Sequence, residues 1–121
     1  MKHVGIEGIV ELDRLRAEFW ISAQIHLCDQ AFIPVAVLHK GDPDAGAILI
    51  KLNRLSKGCQ VLTQVRNING APAWMPGTGE AYVSEQDADS YIERQRSRDP
   101  DLWVLEIEDP NNRYKLDGEI I

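Results

Sequence analysis

The chain has 121 residues, 44% of them hydrophobic and 26% charged. That is one domain's worth of globular sequence, too apolar for intrinsic disorder and long enough to need no metal or disulfide staple. Thirteen basic against nineteen acidic residues leave a formal charge of −6, which argues against a nucleic-acid binder driven by overall charge.

Residues 1–14 read as an N-terminal extension. Glu7, Glu11 and Asp13 fall where a signal peptide needs an apolar run, so none is expected. No stretch approaches the roughly 20 apolar residues of a membrane helix. Cys28 and Cys59 lie far apart without Cys-x-x-Cys spacing, and the expectation is two free, buried thiols in a reducing cytoplasm.

A single α+β domain is expected over residues 15–109. From Leu15 to Leu27 every odd position is apolar, which is a strand period. Leu12, Leu15, Phe19, Ala23, Leu27 and Ala31 also form a stripe at helical spacing. Length favours a helix from near Ala17 to Gln30, with a short strand before it as the other way to start. Such a helix is apolar on most sides and is expected to be well buried.

Strands are predicted at residues 33–39, 47–52 and 59–66, separated by the turns Gly41-Asp42-Pro43-Asp44 and Lys57-Gly58. Asn69-Gly70 signals a hairpin into a short strand at 71–75. The short connections imply an antiparallel meander. Ser84 and Asp87 then have capping-box spacing. Acidic residues crowd the start of this second helix, and Arg94, Arg96 and Arg98 crowd its end, as the helix dipole favours. Ala88, Tyr91, Ile92 and Gln95 form its docking face. Asp99-Pro100 ends it. The last strand, 102–108, is apolar on both faces at first and is expected inside the sheet. Residues 110–121 form a polar tail expected to fray. The predicted fold is therefore an antiparallel sheet of four or five strands with two helices packed on it, in the order α-β-β-β-(β)-α-β.

Three phrases carry a resemblance: AEFWISA at 17–23, KGDPDAGAILIK at 40–51 and DPDLWVLEIED at 99–109. Together they resemble a family of short bacterial proteins known only as domain of unknown function 1491. The resemblance spans residues 15–109 and favours helix for the first segment. It implies a small cytoplasmic bacterial protein and brings no activity, substrate or catalytic residue. The extension before Arg14 is longer than is usual in that family.

Each candidate site has a plain structural reading beside it. Asp42, Asp44, Glu106 and Glu108 are the candidate acidic site, for acid–base work or for a cation, provided the two pairs converge. Turn chemistry explains Asp42 and Asp44, and a solvated strand end explains Glu106 and Glu108. His26 and Cys28 are two apart on a helix and so face different ways. Arg94 to Arg98 is the only basic cluster, flanked by acids that pair with it. Gly77-Thr78-Gly79 lacks the lysine and the following helix of a phosphate loop. No catalytic residue, metal site or cofactor is assigned. Trp74 and Met75, at a strand end, are the candidate interaction surface.

The functional expectation is a non-enzymatic interaction or regulatory module that binds a protein partner or a second copy of itself. The alternative is a small enzyme or a ligand- or cation-binding protein using the four carboxylates. Neither nucleic acid nor membrane is expected as a partner. The charge itself is localised. Residues 1–83 hold eight acids and eight bases, whereas 84–121 hold eleven acids and five bases.

Overall fold

The computed structural model describes residues 16–121, so the N-terminal extension and the stripe residues Leu12 and Leu15 lie outside the described residues. Helix α1 spans Ala17–Gln30. Just past its end lies Phe32, whose φ of 58° lets the Ile33 amide donate back to the Cys28 carbonyl at 2.9 Å. Four strands follow: β1 (Val35–His39), β2 (Ile48–Asn53), β3 (Cys59–Arg66) and β4 (Pro72–Pro76). Helix α2 spans Glu85–Arg98 and is capped by the Ser84 side chain, which accepts from the Asp87 amide at 3.1 Å. Strands β5 (Trp103–Glu108) and β6 (Glu119–Ile120) complete the chain.

The strands form one six-stranded sheet in the order β1-β5-β2-β3-β4-β6. The fold class is α+β with two helices, but the sheet is mixed, not antiparallel throughout. The meander from β2 to β4 is antiparallel as expected. A strand reached through a helix usually returns in the direction of the strand before that helix. Accordingly β5 runs parallel to β2, into which it is registered with Ile50 opposite Leu105 and Lys51 opposite Glu106. It separates β1 from β2 and lies inside the sheet.

Strand alternation divides the core into two halves. Ile48, Ile50, Leu52, Leu62, Trp74, Trp103, Leu105 and Ile107 pack with Ile21 and Cys28 of α1. Leu49, Val61 and Val104 pack with Ala88 and Ile92 of α2. The helices thus cover opposite faces. Each fully buried aliphatic chain contributes about 1.5–3 kcal/mol.

Two expectations change here. Helix α1 is not apolar-buried all round: its core side is Ala17, Ile21, Gln24 and Cys28, while Phe19 and Leu27 of the sequence stripe are more than half exposed. One helix on one sheet face has only one side to bury, and the other face belongs to α2. The tail is not frayed. The Asp109 carboxylate accepts from the amides of Arg113 and Tyr114 at 2.9 and 2.8 Å. The Tyr114 hydroxyl donates to the buried Gln24 Oε1 at 2.6 Å. Strand β6 then pairs in parallel with β4.

Candidate functional site

The one lysine of β2 points to the α2 face, between Leu49 and Asn53 along the strand. Lys51 is 3% exposed at the side chain. Its Nζ donates to Glu85 Oε2 at 2.9 Å and Asp89 Oδ1 at 2.7 Å, and lies 3.2 Å from Glu106 Oε2. An ammonium has three protons, and three carboxylates meet them. The Asn53 amide group, one strand repeat further on, donates to Glu106 Oε2 at 3.1 Å and to Glu85 Oε2 at 3.4 Å. Glu85 and Asp89 are one helical turn apart on α2, and Glu106 is the β5 partner of Lys51.

The electrostatics follow from this geometry. Burial by itself lowers the Lys51 pKa, but the hydrogen bonds that Lys51 donates to Asp89, Glu85 and Glu106 outweigh it and raise the value above the ordinary 10.5. An ammonium held this way stays protonated and is a poor nucleophile. It also fills the place that a metal ion would take among the three acids. Among the described residues no group of His, Cys, Asp and Glu is arranged to hold a metal ion. Cys28 and Cys59 are free and buried, and burial pushes both thiols up, so neither is an activated thiolate.

The structure does not bring the four sequence-predicted carboxylates together. Asp42 Oδ2 accepts from the Ala45 amide at 2.8 Å within its turn. Asp44 pairs with Arg16 at 3.2 Å and lines a cleft of about 570 Å³ beside Trp20 and Trp74, on the α1 side. Glu106 lines a different cleft of about 430 Å³ on the α2 side, with Leu38, His39, Lys51, Asp89 and Glu93. Glu108 is a further repeat along β5. The acidic-site alternative therefore has no gathered site. Glu106 alone joins a cluster, and its partners Lys51, Asn53, Glu85 and Asp89 were not among the sequence candidates. The one signal for them was an acidic row at Glu85, Asp89 and Glu93, spaced four apart.

The interaction surface proposed at Trp74 also changes. Trp74 is 1% exposed, stacks at 5.3 Å from Trp20, and donates through Nε1 to the Asp117 carbonyl at 2.7 Å. Its strand is not an edge, because β6 covers it. Only Met75 faces outward. His26 is exposed and Cys28 buried, so they form no pair. Arg96 pairs with Glu93 at 2.9 Å, and Arg94 lies over the Tyr91 ring. Thr78 of the Gly-Thr-Gly turn accepts from the Val61 amide at 3.1 Å.

The terminal strands of the sheet are β1, of five residues, and β6, of two; β1 is the longer edge. Its inner side pairs with β5 through Val35 opposite Ile107, Ala36 opposite Glu106 and Val37 opposite Leu105. Its outer side meets no strand among the described residues. Ala36, Val37 and Leu38 are all exposed. No described helix is long and apolar enough to cross a membrane.

A family model described as a protein of unknown function, DUF1491, matches residues 15–117. The chain belongs to the DUF1491 family. A crystal structure of a DUF1491 protein from Caulobacter crescentus superimposes with a TM-score of 0.78 at 31% identity, covering 88% of this chain and 99% of that one. An NMR structure of a DUF1491 protein from the same organism gives 0.76 at 31% identity, over 89% and 97%. A solution structure from A. tumefaciens gives 0.66 at 27% identity, over 78% and 86%. No curated protein matches the chain.

The phrases that mark this DUF1491 chain meet at one corner. The Asp42 amide donates to the Asp101 carbonyl at 2.8 Å, and Trp103 Nε1 donates to the Asp42 carbonyl at 2.8 Å. The Glu18 amide at the start of α1 donates to the Pro43 carbonyl at 3.1 Å. A Cβ at Gly41 would lie 2.2 Å from the Asp101 carbonyl oxygen, so only glycine allows this approach. In this chain the three phrases thus form a structural joint between α1, the β1–β2 loop and the start of β5.

Proposed function

We propose that this DUF1491 protein is a non-enzymatic interaction module that takes a partner onto the outer edge of β1. The observation that carries the reading is the composition of that edge. Soluble proteins usually guard edge strands with charges, prolines or a covering element. Here the exposed sequence is Ala36-Val37-Leu38, with no charge in it, and among the described residues only the bulge between Val37 and His39 blunts it. An uncharged, exposed edge offers backbone donors and acceptors to an added strand. The free thiols of Cys28 and Cys59 support a reducing, cytoplasmic setting, and the sources of the solved relatives support a bacterial one.

The test is a photo-crosslinking residue placed at Val37 in cells, with the fully exposed Ile68 as the control position. A discrete adduct from Val37 and none from Ile68 is expected. Silence at Val37, or equal adducts from both positions, overturns the reading.

A further inference from the structure

We infer that the occupant of the β1 edge is an extended segment with lysine or arginine at alternate positions; this rests on the edge reading above. The cleft at Lys51 opens beside that edge, with Leu38 and His39 of β1 forming one wall and Asp89, Glu93 and Arg96 of α2 the other. Its carboxylates are Glu85, Asp89, Glu93 and Glu106, and its cations are Lys51 and Arg96. The balance is negative by two charges, at the mouth of an uncharged edge.

Register places the two features in line. Ala36 is directly opposite Glu106, so both face α2. An added strand lies about 5 Å from β1 and about 10 Å from β5. A side chain on that strand opposite Ala36 would pass over a methyl group toward the Glu106 carboxylate, with Leu38 and His39 further along β1 at the cleft wall. Because alternate residues of a strand share a face, alternate basic residues would all turn toward the cleft. A second copy fits less well, because it would set two negative clefts against each other on chains that each carry −6.

The experiment uses fluorescence anisotropy with a labelled heptapeptide of alternating lysine and valine. Its comparators are the glutamate–valine peptide and the lysine peptide with N-methylated backbone amides. The lysine peptide is expected to bind at low salt, and both comparators to bind about tenfold more weakly or worse. Glu93→Lys, at an exposed side chain, is expected to weaken the lysine peptide by about fivefold or more. Equal binding of the lysine and glutamate peptides overturns the charge inference while leaving the edge reading in place. Undiminished binding of the N-methylated peptide overturns both. If no peptide binds while Val37 still crosslinks, the inference fails and the edge reading survives. A chain-to-chain adduct at Val37 makes a second copy the occupant and overturns the inference.

Discussion

Lys51 Nζ lies 2.7 Å from Asp89 Oδ1, and this contact joins the middle of the sheet to the second helix. Beside the Lys51 contacts to Asp89 and Glu85, α2 rests on a narrow apolar face of Ala88 and Ile92 with Tyr91 packed against it. Removing one partner of a buried ion pair usually costs about 3–5 kcal/mol. Glu85 and Asp89 are more than half exposed and rehydrate readily, which reduces the cost. Lys51→Met is therefore expected to lose about 2 kcal/mol, and Asp89→Asn about 1 kcal/mol. Urea denaturation measures both. A Lys51→Met protein as stable as the parent would show that the cluster contributes nothing net.

The same cluster sets an alkaline limit. The folded chain holds the Lys51 proton above the ordinary 10.5, while the unfolded chain releases it near that value. The stabilisation is therefore complete below about pH 10.5 and is lost as pH rises further. Tyr114 acts in the same direction, because burial raises its phenol above 10.0. Stability followed by denaturant titration from neutral to strongly alkaline pH should stay level and then fall beyond about pH 10. Lys51→Met should flatten that fall. An unchanged slope would remove Lys51 as its cause.

The elements with local chemistry were legible in the chain. Ser84 caps α2, Asn69-Gly70 turns β3 into β4, and the alternate positions Val61, Thr63 and Val65 mark β3 as a strand. What depends on distant pairing was not. The parallel course of β5 follows from a crossover past β3 and β2, which no local pattern encodes. Lys51 reads as a lone charge in an apolar strand, because its partners on α2 are 34 and 38 residues away. Asp109 reads as the end of an acidic run, yet it is 2% exposed and organises the tail. Trp74 looked exposed because the strand that covers it is two residues long and arrives last.

Helix α1 provides a contrast between two adjacent faces. Phe19 belongs to the longer apolar stripe of the sequence but is more than half exposed, whereas Ile21 is buried against the sheet. Phe19→Gln is expected to change stability by less than about 0.5 kcal/mol, and Ile21→Ala to cost about 2–4 kcal/mol. Thermal or urea unfolding of the two variants decides the orientation of the helix. A large loss for Phe19→Gln with a small one for Ile21→Ala would mean that the helix presents its other face.

The tail makes a last, sharper claim. Trp74 is sealed from below by Trp20 and from its open side by the chain after Tyr114. Leu116 packs on the core, the Asp117 carbonyl accepts from the indole N–H, and the Ile121 amide donates to the Trp74 carbonyl at 2.8 Å. Deleting residues 115–121 takes all three away. It leaves the indole N–H to water and uncovers part of a ring that otherwise contributes several kcal/mol by burial. The expected loss is about 2–3 kcal/mol, together with a red-shifted tryptophan emission. Deleting only 119–121 removes the β4 pairing but keeps Asp117, so its effect should be about 1 kcal/mol with little spectral change. A tail that frayed in solution would give neither signal in either deletion.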